Sequence, residues 1–266
     1  MTKENPTMLD TTAHNADRQP LLRARGLTKE FPSTDPPTRV LHGIDLDVAD
    51  GEFLAVMGAS GAGKSTLLYT LSAMDRPTSG TVELEGEPMQ SLDDTRMSRI
   101  RLTRMGFVFQ QPHFLGNLSI RDNILLPALK AGIRDADQRV DLLLGRFGIA
   151  AIGGHGVTEA SGGQLQRASL CRALVCEPAI LFADEPTGAL NSTATIDVLD
   201  ALVEAHATGV TIVMVTHDPV CAARAERLVY LRDGRIVDSV EQGPWNPDEA
   251  QQRESRMLTW LATKDF

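Results

Sequence analysis

Residues 58–66 read Gly58-Ala59-Ser60-Gly61-Ala62-Gly63-Lys64-Ser65-Thr66. Just ahead stands the apolar run Phe53-Leu-Ala-Val-Met57, and just behind it Leu67, Leu68 and Leu71 recur at helical spacing. Strand, glycine-rich loop and helix, in that order, make the setting that a phosphate-binding loop requires. Gly58, Gly61 and Gly63 let the backbone curl until successive N–H groups point at phosphate oxygens. The helix start adds unpaired N–H groups and a positive dipole end. Lys64 is expected to reach the β- and γ-phosphates, and the Ser65 hydroxyl to ligate Mg²⁺. A chance glycine-rich turn would not bring lysine, serine, strand and helix together, so the stretch implies binding of a nucleoside triphosphate.

A second landmark is Ala179-Ile-Leu-Phe-Ala-Asp-Glu-Pro-Thr187. The apolar residues ahead of Asp184 read as a strand buried on both faces, as in a parallel sheet. Its end would deliver Asp184 towards the Mg²⁺ shell, while Glu185 leaves the strand turned elsewhere, placed to polarise the attacking water as general base. The alternative, that two acids merely cap the next turn, explains neither their adjacency nor the apolar strand.

Between the landmarks lies Ala160-Ser161-Gly162-Gly163-Gln164-Leu-Gln-Arg167, leading into a helix with apolar Leu165, Ala168, Leu170, Ala173 and Leu174. Ser161 is the expected N-cap, and Gly162 and Gly163 are expected to leave the helix start sterically open. This is a second anion-binding helix terminus. One nucleotide does not need two phosphate cradles from one chain, so two copies are expected to meet head to tail, each offering this terminus to the other's γ-phosphate.

At these residues the chain resembles the ABC-type ATPases, whose signature motif Ser161-Gly-Gly-Gln164 matches. The resemblance covers about residues 20–240, and its motifs follow in order. Gln110, closing Gly106-Phe-Val-Phe109, matches the Q-loop glutamine and adds a ligand on the Mg²⁺ side; His217, after Thr211-Ile-Val-Met-Val215, matches the switch histidine. Gly188-Ala-Leu-Asn191 matches the D-loop, and Phe31 sits where the family places an aromatic to stack on adenine, although it equally fits an edge-strand core residue. Phe107-Val-Phe-Gln110 and Ala183-Asp-Glu-Pro-Thr-Gly188 resemble the branch of macrolide, lipoprotein-release, haem and antimicrobial-peptide exporters, which also includes a cell-division ATPase. The resemblance implies an α/β fold: a P-loop NTPase core with a RecA-like, mostly parallel sheet, an N-terminal antiparallel β layer and an inserted α-helical subdomain. It implies ATP hydrolysis with Mg²⁺, and a homodimer in which Ser161, Gly162, Gly163, Gln164 and Asn191 meet the partner's ATP. It also implies a separate membrane permease, of exporter type, seated near Gln111, Pro112, His113, Phe114 and Leu115, and a peripheral position on the cytoplasmic face of the membrane. The alternative use of the same motor is force transmission to a cell-division or cell-envelope partner without transport. Two residues depart from the pattern: Ala160 replaces a leucine, and Asn191 replaces an aspartate, losing a charge at the position expected to couple the two sites.

With 266 residues, a net charge of −9 and 42% apolar residues, the chain has room for a sizeable core and carries no basic stripe, which argues against nucleic acid as a partner. Arg96, Arg99, Arg101 and Arg104 cluster on one short stretch, read as a solvated helix face. No run approaches the roughly 20 apolar residues that cross a bilayer. Cys171, Cys176 and Cys221 show no metal-ligand or paired spacing.

Along the chain, residues 1–20 read as a disordered arm, 21–243 as the ATPase domain with a helical subdomain at about 111–165, and 244–266 as a helical tail. Strands are expected at 22–31, 39–48, 52–57 and 81–85, together forming the antiparallel layer that carries Phe31, with residues 32–37 a proline-rich loop. Helices are expected at 119–131, kinked or shortened by Pro127, and at 135–147, 193–206 and 220–226. Asp233-Gly234 between two apolar runs is a hairpin signal.

Overall fold

The computed structural model describes residues 20–32 and 37–264. The expected N-terminal arm, up to residue 19, and residues 33–36 of the proline-rich loop lie outside the described residues. The chain opens with β1 (Pro20–Phe31), β2 (Thr38–Ala49) and β3 (Phe53–Met57), then the loop and α1 (Lys64–Leu71). β4 (Ser79–Leu84), β5 (Glu87–Pro88), α2 (Asp94–Thr103) and β6 (Met105–Val108) follow. Next come α3 (Ile120–Ala131), α4 (Ala136–Arg146), α5 (Gly162–Leu174) and β7 (Ile180–Asp184). The alternation closes with α6 (Ser192–His206), β8 (Thr211–Val215), α7 (Pro219–Ala222), β9 (Arg227–Arg232), β10 (Arg235–Glu241) and α8 (Ala250–Ala262).

Two sheets result. One is antiparallel, in the order β2-β1-β4-β5; the other runs β10-β9-β3-β8-β7-β6, parallel throughout except at the β9–β10 hairpin. This is the α/β core with an antiparallel layer that the motifs implied, with one correction. The strand expected at 52–57 does not join the antiparallel layer: β3 lies inside the mixed sheet between β8 and β9. All five of its residues are buried and apolar without alternation, so it needs cover on both faces, which only the interior of the parallel sheet provides.

The two faces of the mixed sheet have separate cores. Leu54, Val56, Ile180, Phe182, Val213 and Val215 pack with β1, β2 and α1 residues such as Leu22, Val48 and Leu67. Phe53, Ala55, Met57, Leu181, Ala183 and Met214 pack on the opposite side with Leu170, Leu202 and Met257. The period-two alternation of strand side chains therefore assigns neighbouring residues of β3 and β7 to different cores.

The helices also differ in detail from expectation. α3 starts at its cap Ser119, whose Oγ accepts from the Asp122 N–H, and runs through Pro127 to Ala131, where left-handed Gly132 ends it. Pro127 does not shorten it, because burial of Ile120, Ile124 and Ala128 on one face outweighs a lost backbone bond. α7 is shorter than the 220–226 expected. After Ala222, turn-type bonds redirect the chain so that Glu226 N–H reaches the Phe53 carbonyl (2.7 Å) and β9 enters beside β3. α8 docks on its own chain: Met257 and Leu261 are buried, and the Trp260 ring stands edge-on to Tyr230 at 6.1 Å. Of the clustered arginines, Arg96 on α2 pairs with Glu87, and Arg104, just past its end, pairs with Glu85.

Candidate functional site: the phosphate loop and its carboxylates

The loop between β3 and α1 is built for close backbone approach. A Cβ on Gly58 would stand 2.2 Å from the Leu231 carbonyl oxygen, and Gly63, at φ +99°, has Val40 Cγ1 3.1 Å from where its Cβ would be. Ala62 is buried, whereas Ala59, Ser60 and Gly61 form the exposed rim of the loop. At the C-terminal side, Leu67 N–H bonds to the Gly63 carbonyl and Thr70 Oγ1 donates to the Thr66 carbonyl, locking the first turns of α1.

Lys64 is folded back into the loop, its Nζ donating to the carbonyls of Gly58 (2.8 Å) and Ala59 (3.1 Å). Burial pushes its pKa down, and the nearby Glu185 and Asp184 carboxylates pull it back up.

Ser65 and Asp184 are brought together as expected: Ser65 Oγ donates to Asp184 Oδ1 at 2.9 Å. The second carboxylate oxygen, Oδ2, accepts from Tyr69 OH at 2.7 Å. Burial first, then the hydrogen bond to Asp184, pushes the Tyr69 phenol up to about 12, so it stays a donor. A hydroxyl beside a carboxylate is a hard-oxygen pair that fits Mg²⁺. Among the described residues no group of three or more His, Cys, Asp or Glu side chains is placed to hold a metal. Ser65 and Asp184 therefore suit a cation that takes its remaining ligands from phosphate and water.

Glu185 sits at φ +46°, a left-handed conformation uncommon outside glycine, fixed by its N–H to the Val215 carbonyl and by Gly188 N–H to its own carbonyl. That turn swings its side chain off the strand line. Glu185 Oε1 lies 2.9 Å from His217 Nδ1, and the His217 N–H reaches Oε2 at 3.4 Å. The Gln110 amide lies against the D-loop: a Cβ on Gly188 would come within 2.9 Å of Gln110 Nε2.

The signature residues are arranged differently from expectation. Ser161 does cap α5, in a reciprocal box with Gln164 (Gln164 N–H to Ser161 Oγ 3.3 Å; Ser161 N–H to Gln164 Oε1 2.9 Å). The glycines, however, are small chiefly for packing inside the chain, and Gly163 is buried. A Cβ on Gly163 would be 2.8 Å from Ala194 Cβ, and one on Gly162 would be 3.3 Å from Leu190 Cδ2. They are small because α5 begins against α6 and the D-loop, with Ser161 and Gly162 still exposed. Asn191 caps α6 by accepting from the Ala194 N–H (2.9 Å), a duty its amide oxygen performs as an aspartate would.

Phe31 lies at the end of β1, paired with Thr38, with Lys29 Nζ 5.1 Å from its ring centroid. β2 reaches the loop two residues further on, through Val40. In the 111–115 segment, Arg172 of α5 donates to the carbonyls of Pro112 (2.5 Å) and His113 (3.1 Å), and its guanidinium stacks 4.6 Å from the Phe114 ring. Leu115 is exposed beside a largely apolar cleft of roughly 400 Å³ that also includes Leu126, Pro127 and Met105. Two participants have no local sequence signal, Tyr69 and Gln166, whose Nε2 donates to the Phe109 carbonyl just before Gln110 (2.8 Å); Gly234, legible only as a hairpin glycine, donates its N–H to the Ala62 carbonyl (3.1 Å).

Fold and site together define a nucleotide-hydrolysing cassette. The family described as "ABC transporter" matches residues 41–188, more than half of the chain, and the chain belongs to that family, whose reaction is ATP hydrolysis. It is similar to the macrolide export ATP-binding/permease protein MacB 1/2 of Paracoccus denitrificans, with 46% identity over 82% of this chain and 33% of that protein. The Nitrosomonas europaea macrolide export ATP-binding/permease protein MacB is 43% identical over 85% of this chain and 35% of its own length. The chain thus spans about a third of the length of these curated relatives. Among solved structures, it resembles the ATP-binding cassette MJ0796 in a dimeric post-hydrolysis state bound to ADP and Pi, with a TM-score of 0.78 and 31% identity, covering 84% of this chain and all of that one.

Proposed function

We propose that this chain is the ATP-hydrolysing subunit of an exporter, closing as a dimer around two ATP molecules and driving a membrane-spanning permease from the cytoplasmic face. The observation that carries the proposal is the second phosphate-ready helix start: Ser161 and Gly162 are exposed at the beginning of α5 while the chain already owns a complete phosphate loop. The dimeric ADP- and Pi-bound relative supports the same arrangement. In this reading the loop N–H groups and Lys64 hold the phosphates, and Ser65, Asp184 and Gln110 hold Mg²⁺. A cation held there would supply neutralisation of the phosphate charge. Glu185 accepts the proton of the attacking water, His217 keeps Glu185 oriented, and Ser161, Gly163 and Asn191 approach from the other protomer. Phe31 stacks on adenine.

No helix among the described residues is long and apolar enough to cross a membrane, so movement of a substrate falls to membrane-spanning segments elsewhere. The relatives' names join ATP-binding and permease functions. We assign the apolar cleft bordered by His113 and Leu115 to a short permease helix, with Arg172 holding the 111–115 segment in place.

Mixing inactive variants tests the shared site. Lys64→Ala and Ser161→Arg should each abolish turnover alone. Mixed, they form heterodimers in which one site combines the intact loop of one chain with the intact Ser161 of the other, so ATPase activity should reappear. Mixtures as inactive as the separate proteins would overturn the proposal.

A further inference from the structure

Asp184 is gripped from one helix by two hydroxyls. Ser65 and Tyr69 are four residues apart on α1 and so lie on one face of it, one turn apart. Ser65 Oγ meets Oδ1 at 2.9 Å and Tyr69 OH meets Oδ2 at 2.7 Å. The tyrosine ring packs beside the core under the antiparallel layer, so its hydroxyl is presented from a fixed base. Its backbone is fixed too: the Tyr69 carbonyl accepts from the Asp75 N–H at 3.0 Å and from Ser72 Oγ at 3.2 Å.

The two grips are not equivalent once a metal is in place. Ser65 must hold an oxygen lone pair to the cation while its single proton goes to Asp184, so its position is dictated by the metal as well as by the carboxylate. Tyr69 has no such second duty. A carboxylate held at one oxygen alone can still turn about its terminal torsion, which is broad and roughly twofold, and a second donor on the other oxygen removes that freedom. We propose that Tyr69 is a positioning residue that holds Asp184 through Oδ2, so that Oδ1 stays aimed at the Mg²⁺ position when Ser65 is engaged by the cation. The inference rests on reading Asp184 as the metal-side carboxylate, and it concerns a residue that none of the phosphate-loop, signature or switch motifs includes. Outer partners of metal-binding carboxylates commonly set metal affinity by about 10- to 100-fold.

The test uses Mn²⁺ as the spin probe in place of Mg²⁺, with the full chain in the Glu185→Gln background and a non-hydrolysable ATP analogue. Electron paramagnetic resonance then reads free Mn²⁺ directly, without turnover. Tyr69→Phe removes one oxygen and keeps the ring; it should weaken Mn²⁺ binding about tenfold, with nucleotide affinity in EDTA and the thermal midpoint unchanged. In an Asp184→Asn background the same substitution should have no further effect, since the two act through one contact. If Asp184→Asn leaves Mn²⁺ affinity intact, the metal-side reading of Asp184 fails. If Asp184→Asn weakens it but Tyr69→Phe does not, or if Tyr69→Phe weakens it equally in both backgrounds, the role assigned to Tyr69 is overturned while that reading stands.

Discussion

His217 and Glu185 face each other at 2.9 Å, Nδ1 to Oε1, although 32 residues separate them, and the His217 N–H adds a second contact to the same carboxylate. The strained turn at Glu185 throws the carboxylate off the end of β7, and His217, two residues past the end of β8, catches it. Replacement of His217 by alanine leaves the phosphate loop intact but frees the carboxylate. Turnover should fall by about 10²-fold, with ATP affinity changed little. Steady-state kcat alongside equilibrium nucleotide binding checks this; an equal loss in both would mean that His217 chiefly holds the nucleotide.

Gly234, in the β9–β10 turn, buttresses the phosphate loop from behind. Its N–H bonds to the Ala62 carbonyl, its carbonyl accepts from the His42 N–H, and a Cβ there would stand 2.0 Å from the Val40 carbonyl oxygen at φ +69°. Gly234→Ala should destabilise the chain by at least about 1–3 kcal/mol and weaken ATP binding. Gly116→Ala, where a Cβ meets nothing within 4 Å, should do neither. Urea unfolding and nucleotide titration of the two variants give the comparison.

The docking of α8 should be acid-sensitive. Lys264 first, then the Ser239 N–H and Trp260 Nε1, hold Asp238 below the ordinary carboxylate range. A carboxyl group whose pKa is lower folded than unfolded contributes stability that is complete above its unfolded value and is lost as pH falls through the folded one. Trp260 fluorescence, isolated in a Trp245→Phe background, should therefore change as pH drops below about 4, and Asp238→Asn should remove most of that dependence.

Legibility in the sequence followed the range of the interactions. The phosphate loop, the Asp184-Glu185 strand end, the Ser161 cap and the Asp233-Gly234 hairpin are each specified within a few residues, and each lies where its pattern placed it. Membership of β3 in the mixed sheet was written in its five unalternating apolar residues, but its position after two antiparallel strands suggested the wrong partners. The Gly162-Gly163 pair was visible, yet its reason was not, because Ala194 and Leu190 lie some thirty residues away in sequence. Tyr69 and Gln166 left no mark as site residues, and Gly234 showed only as a hairpin glycine, not as a support of the phosphate loop. Each acts through a contact between distant segments, such as the Tyr69 bond to a carboxylate 115 residues on. The short α7 likewise follows from the need to bring β9 beside β3, a tertiary demand that helical periodicity does not record.

The central claim is that each reaction centre is completed by a second copy of the chain, with ATP between them. Sedimentation velocity of the Glu185→Gln protein measures it most directly. With Mg²⁺ and saturating ATP the protein should sediment as a dimer, and with ADP as a monomer; adding Ser161→Arg to the same chain should return the ATP-loaded protein to monomer. A Glu185→Gln protein that binds ATP fully yet remains monomeric would contradict the account.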